Sequence, residues 1–509
     1  MANLRKVLIL SAALLLTSAV SAKPGAANHE ANGLGLDQLE KLGTVDPRYQ
    51  SYNVEMVEVT GGRFWAPYGG PKGEMHRMRP PLDLTAKRIR ALAKNLGPAY
   101  MRVSGTWANS TYLPAEGEVV TTPPPGFNQV LTRDQWHGVI RFAKAVNAKI
   151  VTSFPASPGA RNPDGSWNPE QAQRLIDLTR EAGGEIHSAE LFNEPTIPTH
   201  GAFPKNYTPE NFACDFRIFR EWARKAAPGM KLAGAGGTAE GSMMKHSAQS
   251  EAMGFLQSED LLKANPGSLD IVSYHFYGNV SQRCGATTSL KDQALSDEWL
   301  DRTLLDAAFY GALRDRYEPG KPLWLNETAQ AACGGSPWAS TFIDSFRYLN
   351  QLGTLAQKGV QVVAHNTLAA SDYALIDYDT MMPRPNYWAA VLWHRTMGTT
   401  VLASPLSPSP DLRLYAHCLP GKKGGVGLLA INLGTKAIPL GLGHRGLGWV
   451  MQASPLDSKL AMINGKAPAI DGSGKAHGLE GRKFAGGIEL PGQAIAFVAV
   501  PQAANLSCR

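Results

Sequence analysis

Beyond its first 22 residues, this 509-residue chain has no apolar run near the ~20 residues a helix needs to cross a bilayer, so a membrane span is not expected. It lacks runs of Lys and Arg of the kind that follow a phosphate backbone, and its aromatic residues are not interleaved with basic ones. Nucleic-acid binding is therefore without support. The twelve histidines show no ligand spacing, so no metal is expected. Cysteine is scarce: five residues, an odd number, leave at least one thiol unpaired if every bond is internal. Cys418 and Cys508 bracket the C-terminal region and read either as a staple or as two buried thiols.

What is present is a globular composition, 43% hydrophobic and 18% charged, long enough to bury a large core and too long for one small domain. Residues Met1 to Ala22 read as a secretory signal: Arg5 and Lys6, the apolar run Val7 to Leu16, then small residues at Val20-Ser21-Ala22. Cleavage after Ala22 and a secreted or periplasmic location are expected; the short apolar run disfavours an uncleaved anchor. The formal charge of +7 loses Arg5 and Lys6 and becomes +5, which is compatible with an acidic polysaccharide substrate.

Apolar segments of strand length alternate with helical periodicity, the pattern of βα units around a parallel sheet. Eight strands are expected: Asn53 to Thr60, Tyr100 to Ser104, Lys149 to Phe154, Ala189 to Asn193, Lys231 to Ala235, Asp270 to Tyr277, Pro322 to Asn326 and Val360 to His365. Eight units make an α/β fold, a (β/α)8 TIM barrel over residues 51–397, the leading architecture. After Met397 the pattern changes to short apolar runs divided by turns, Arg413 to Cys418, Gly427 to Asn432, Ala437 to Leu440 and Ala494 to Pro501, which read as an antiparallel β-sandwich over 398–509. Gly441 to Gly486 is rich in turn residues and reads as hairpins and surface loops. Residues 23–50 read as a lead-in partly packed on the sandwich.

Two glutamates carry the chemistry. Each follows a short apolar run, in Ala189-Glu190-Leu191-Phe192-Asn193-Glu194-Pro195 and in Pro322-Leu323-Trp324-Leu325-Asn326-Glu327-Thr328. Placed at the ends of the fourth and seventh strands, Glu194 and Glu327 face one cleft from opposite sides of the ring. Glycoside hydrolysis needs this pair: one carboxylic acid to protonate the leaving oxygen and one carboxylate to act at the anomeric carbon. Each glutamate alone would also suit a helix N-terminus, but that does not explain why both follow strands.

The chain resembles glycoside hydrolase family 79, which includes heparanase and β-glucuronidases. The resemblance is carried by Gly97 to Thr106, by Trp167-Asn168 through Glu194-Pro195, by Trp324 to Thr328 with Gly334-Gly335, by Asp372 to Asp377 and Asn386-Tyr387-Trp388, by Gly398-Thr399, and by Leu412 to Cys418, Ala430 to Leu433 and Cys508. It implies a retaining mechanism without a cofactor, with Glu194 as general acid/base and Glu327 as nucleophile. Charge on Glu327 is then expected to raise the pKa of Glu194. The resemblance further implies a Cys418–Cys508 disulfide, Tyr277 orienting the nucleophile, His275 contacting substrate, and Tyr373 meeting a uronic acid carboxylate. Glu55 and Thr106 match substrate-side positions. Asn193 suits a sugar 2-hydroxyl, Asn366 another hydroxyl, and Arg102 either holds Glu327 ionised or forms a structural ion pair.

Before Tyr373, the segment Leu368-Ala369-Ala370-Ser371 replaces a glycine-containing stretch of the family, so the loop's amide contacts are open. Basic clusters are lacking around Gly236 to Lys245 and after Phe154, which argues against highly sulfated polymer, and the Pro- and Glu-rich segment Leu113 to Phe127 reads as a cleft wall or an ordinary surface loop. The leading expectation is a monomeric, exo-acting β-glucuronidase on glucuronic-acid-containing oligosaccharides or glycosaminoglycan fragments. The alternatives are an endo-β-glucuronidase acting on heparan sulfate, another two-glutamate barrel glycosidase such as a xylosidase or arabinofuranosidase, and a catalytically silent carbohydrate-binding barrel.

Overall fold

Eight parallel strands close into a barrel in chain order: β1 (Gln50–Glu55), β2 (Ala99–Ser104), β3 (Ala148–Ser153), β4 (Ile186–Glu190), β5 (Lys231–Thr238), β6 (Ile271–Tyr277), β7 (Leu323–Ala329) and β8 (Val362–His365). They are seen in a computed structural model that describes residues 33–70, 74–285 and 290–509. The signal expected over residues 1–22 lies outside those residues.

Helices follow the strands and cover the ring. After β1 come α1 (Met56–Thr60) and α2 (Lys87–Asn95); the other strands are followed by α3 (Arg133–Val146), α4 (Glu170–Glu181), α5 (Pro209–Ala226), α6 (Ser258–Ala264), α7 (Asp297–Tyr317), α8 (Phe342–Gln357) and α9 (Pro385–Thr396). Local chemistry sets their ends. Thr132 and Gln135 cap the start of α3 reciprocally, and Asn147 closes it in the left-handed region with φ 54°. Pro385 opens α9, where a missing N–H costs nothing.

The first strand is shorter than expected. Val54 to Thr60 alternates like a strand, but β1 stops at Glu55, because Glu55 and Glu58 form a capping box that starts α1 at Met56. Tyr100, Val151, Ala233, Ile271, Trp324 and Val362 pack together from the early positions of six strands and close the barrel floor. Side chains that need a cleft are left to the C-terminal ends of the strands.

After the barrel come β9 (Thr400–Leu402), β10 (Leu412–Cys418), β11 (Val426–Asn432), β12 (Ile438–Gln452), β13 (Arg482–Leu490) and β14 (Ala494–Val500), which share one antiparallel sheet. One face of the sheet joins the barrel's core through residues such as Tyr415, Leu429, Ile431 and Phe497. The other face carries its own apolar layer, with Leu414, Leu428, Ala496 and Val498 against Leu440, Leu442 and Leu490. That second layer exists because β12 runs on for 15 residues: its start pairs with β13 and its later half with β14, with an irregularity between Gly441 and Arg445. The turn-rich Gly441 to Gly486, expected as hairpins and surface loops, supplies parts of the two long antiparallel strands β12 and β13. Glycine is needed there at Gly446, where a Cβ would meet the Ala499 carbonyl at 2.3 Å.

Lys41–Thr44 adds to the same sheet by pairing with β9, and Leu36 is buried in its core. Asn505 Nδ2 donates to the carbonyls of Leu36 and Leu39 at 2.8 and 3.0 Å. Disulfides join Cys418 to Cys508 and Cys284 to Cys333, which leaves Cys214 free.

Candidate active site

β4 ends at Glu190, and the chain turns through Asn193 to Glu194, whose φ of 48° is a left-handed conformation that costs a non-glycine residue on the order of 1 kcal/mol. Asn109, in the turn after β2, fixes this bend: its Oδ1 accepts from Asn193 N and its Nδ2 donates to Asn193 O, both at 2.9 Å. Glu194 thus stands four residues past its strand. Glu327 lies inside β7, not at its end, and projects toward the same point.

His275, on β6, lies between the two glutamates. Its Nδ1 is 3.0 Å from Glu194 Oε1 and 3.7 Å from Glu327 Oε2, and one polar atom from each of the three residues falls within 4.8 Å of the others. Tyr277, two residues along β6 and so on the same side of the strand, donates its hydroxyl to Glu327 Oε1 at 2.7 Å. Arg102 Nη1 holds the other oxygen of Glu327 at 2.6 Å. Thr238, at the end of β5, donates to Glu194 Oε1 at 2.7 Å.

Arg102 does more than the sequence suggested. Its Nε and Nη2 donate to Glu190 Oε2 at 3.1 and 2.9 Å, and Nη2 also reaches Asn193 Oδ1 at 2.7 Å. Glu190 is fully buried and accepts further bonds from Ser273 at 2.7 Å and Asn326 at 2.8 Å. Arg102 therefore joins the buried carboxylate of Glu190 to that of Glu327. Glu190, Thr238, Asn109, Ser273 and Asn326 were not among the expected site residues. The one signal for Glu190 was a charge inside an apolar strand run, which a (β/α)8 barrel must either pair or point at a site.

A second group surrounds Asn366, just past β8. Its Nδ2 lies 3.0 Å from Glu55 Oε1, 3.1 Å from the Tyr277 hydroxyl and 3.1 Å from the Tyr373 hydroxyl. Glu55 Oε2 is buried without a partner, and a Cβ on Gly105 would fall 1.5 Å from it, so Gly105 leaves the space that Glu55 occupies. Glu194, Glu327, Asn193, His275, Tyr277, Arg102, Asn366, Tyr373 and Glu55 are thereby brought into one connected cluster. Thr106 is not: it is half-buried in the turn Thr106–Ser110, and its side chain has no hydrogen-bond partner among the described residues. Of the amides before Tyr373, Ala369 N is taken by Glu58 and Ala370 N by Thr367, so neither is free to meet a carboxylate. Cys418 and Cys508 join outside the site, at the end of β10.

Burial opposes charge on His275, but Glu327 and the bond to Glu194 outweigh it and hold its pKa above the ordinary histidine value. Burial also pushes Glu194 up, yet the His275 bond and charge, with the Thr238 bond, bring it below the usual carboxylate value. This corrects the expectation that Glu194 is raised: the imidazole stands between the two carboxyls and favours charge on Glu194. Glu55 is held well above the carboxylate range by burial and by the charge of Glu327. A cation at Glu194, His275 and Glu327 would sit beside the Arg102 guanidinium and displace the donors that already occupy Glu327. The donor set suits a proton and a sugar better than a metal.

Residues 124–353, which include both glutamates, match the profile of the glycosyl hydrolase family 79 N-terminal domain. Heparanase-like protein 1 of Arabidopsis thaliana is 26% identical over 376 residues, 70% of this chain and 66% of that protein. Baicalin-beta-D-glucuronidase of Scutellaria baicalensis is 26% identical over 431 residues, 77% of this chain and 78% of its own length. In fold the chain is similar to the GH51 arabinofuranosidase of Xanthomonas axonopodis pv. citri, with a TM-score of 0.61 at 16% identity, covering 91% of this chain and 99% of that one. A closed barrel with two carboxyls converging at its C-terminal end, and a match across both, lead to one conclusion: the chain is a glycoside hydrolase, similar over residues 124–353 to the N-terminal domain of glycoside hydrolase family 79.

Proposed function

We propose that the protein is a retaining β-glucuronidase, exo-acting on glucuronides or glucuronic-acid-ended oligosaccharides. The observation that carries the mechanism is the closeness of the two carboxyls. Polar atoms of Glu194, His275 and Glu327 lie within 4.8 Å of one another. Retaining enzymes hold their carboxyls about 5–5.5 Å apart, whereas inverting ones leave about 6.5–9.5 Å for a water.

Glu327 is the nucleophile in this reading. Two donors, Arg102 and Tyr277, hold its oxygens and fix the carboxyl in place. Attack at the anomeric carbon breaks the glycosidic bond and forms a glycosyl ester on Glu327 while Glu194 gives its proton to the departing oxygen. Water, deprotonated by Glu194, then cleaves the ester. The required proton belongs to the Glu194–His275 pair. His275 Nδ1 lies 3.0 Å from Glu194 Oε1, and proton transfer along that contact from a charged His275 leaves a neutral imidazole beside a protonated acid. Asn193 offers its amide donor to the 2-hydroxyl, because Arg102 holds its Oδ1.

The uronic acid reading rests on Tyr373 and Asn366 beside Glu55, and on relatives named for heparanase and baicalin-beta-D-glucuronidase activity. Exo action rests on the missing basic clusters and on the Leu113 to Phe127 segment, which Glu118 ties down through Tyr112 and Ala115. The chain is expected to work as an exported monomer, a reading that rests on the N-terminal residues and composition. Hydrolysis of p-nitrophenyl β-D-glucuronide beside the β-glucoside, with Glu327→Gln as control, tests the whole reading. Turnover of the glucuronide alone, lost in the variant, is expected; equal turnover of both sugars would sink the uronic acid assignment.

A further inference from the structure

Three loops meet behind the Tyr373 hydroxyl, and one arginine links them. They are the loop that begins after β6 with residues 278–285, the loop after β7 over 330–341, and the loop after β8 over 366–384. Cys284 and Cys333 join the first two by a disulfide. Beside the disulfide, Arg283 Nη1 donates to the carbonyls of Cys333 and Gly335, each at 3.0 Å, and its Nη2 pairs with Asp372 Oδ2. The ion pair is buried, with the two side chains 5% and 8% exposed. Tyr68, from the strand hairpin after α1, closes the unit from above. Its ring lies 3.9 Å from the guanidinium, its N–H donates to Asp372 at 3.2 Å, and its hydroxyl donates to Ser281 at 3.3 Å.

The same unit reaches the sugar pocket through one residue. Asp372 immediately precedes Tyr373, and its backbone N–H donates to Gly334 O at 3.2 Å, as does the Ser371 hydroxyl at 2.8 Å. Gly335 lies against Tyr373 so closely that a Cβ there would come within 3.2 Å of the tyrosine's own Cβ. Tyr373 is thus fixed from one side by Arg283 through Asp372 and from the other by the Cys333–Gly335 turn that the disulfide holds. Its hydroxyl meets Asn366 at 3.1 Å. A buried guanidinium that satisfies two carbonyls and a carboxylate at once is a rigid joint, since moving any partner strands a buried polar group.

We propose that Arg283 and the Cys284–Cys333 disulfide form a specificity-determining positioning unit, which sets the Tyr373 hydroxyl where it meets the C5 carboxylate of the substrate. None of its members touches the reacting atoms; the unit acts through Tyr373. The inference rests on the glucuronidase reading and adds to it the source of the preference for a uronic acid over a neutral sugar. Displacing a carboxylate donor by a fraction of an ångström weakens the hold on the glucuronide's charge while leaving Glu194 and Glu327, tied by Arg102, Tyr277 and Thr238, in place.

The test compares Cys284→Ala/Cys333→Ala and Asp372→Asn with the wild type on p-nitrophenyl β-D-glucuronide and β-D-glucoside, with melting temperatures measured alongside. The expected result is a KM for the glucuronide raised roughly tenfold, kcat within about threefold, and a fall in the glucuronide-to-glucoside ratio of kcat/KM. Asp372→Asn keeps an acceptor for the Tyr68 N–H and carries the test if the double cysteine variant does not fold. An unchanged KM in folded variants overturns the proposal, as does a fall in kcat that is the same on both sugars. A wild type with no preference for the glucuronide sinks the functional reading and this inference together; a wild-type preference that the variants retain sinks only this inference.

Discussion

His275 Nδ1 lies 3.0 Å from Glu194 and 3.7 Å from Glu327, so one imidazole is in contact with both carboxyls of the site. The pair Glu194–His275 titrates as a unit, and its proton is lost at the raised pKa of the imidazole. The alkaline limb of kcat/KM is therefore expected above about pH 6.5, the unperturbed histidine value. His275→Gln cannot carry the proton and is expected to move the limb toward the carboxylate range. A pH profile with the same limb in both proteins would place the proton on Glu194 alone.

Glu327→Gln removes the proposed nucleophile and keeps the shape. Turnover of p-nitrophenyl β-D-glucuronide is expected to fall by about 10³-fold or more, with the melting temperature close to wild type. Residual activity within tenfold would reassign the nucleophile.

Arg102→Met leaves Glu190 and Glu327 without their cation in a site where Arg102 is 2% exposed. A loss of about 3–5 kcal/mol in denaturant unfolding is expected, together with loss of turnover. A variant that kept wild-type stability would show that Ser273 and Asn326 suffice for Glu190.

Glu240 gives a pH dependence of stability away from the chemistry. Its buried carboxyl accepts from Ser258 and Tyr310 and lies near Asp306, and burial pushes its pKa up to about 7 from a model-compound value of 4.5. The folded protein then holds a proton that the unfolded chain has released. The stabilisation is complete below pH 4.5 and is lost as pH rises through 7. Glu240→Gln keeps an acceptor for Ser258 N and is expected to raise the melting temperature at pH 8 relative to wild type and to flatten its fall between pH 5 and 8. An identical pH profile of melting temperature in the variant would refute the assignment.

Removing Cys418 and Cys508 as alanines opens a loop with a sequence separation of 90 and is expected to cost about 2–4 kcal/mol in denaturant unfolding, with KM unchanged. A changed KM would couple the sheet to the cleft.

The barrel was legible because each of its strands is an apolar run long enough to stand out, and the two glutamates because each follows one. What escaped depended on partners distant in sequence. Val54 to Thr60 has a strand's alternation, and only the reciprocal Glu55–Glu58 cap breaks it. Gly441 to Gly486 looks rich in turns because its glycines are read one by one, whereas Gly446 is there to let the Ala499 carbonyl and Phe484 come close. The role of Glu190 needed Arg102 from β2, Ser273 from β6 and Asn326 from β7 at once. The Cys284–Cys333 pairing needed two loops whose approach no local pattern announces.

The binding of Leu36 and Leu39 by Asn505 has a consequence for how the molecule is made. Strand Lys41–Thr44 leads directly into the first barrel strand, yet its partner at Thr400–Leu402 and the side chain that clasps the segment before it come at the far end of synthesis. A nascent chain has nothing to pair this early strand with until residues 400–402 have emerged, and the segment before it waits for Asn505, so residues made late complete an element that residues made early began.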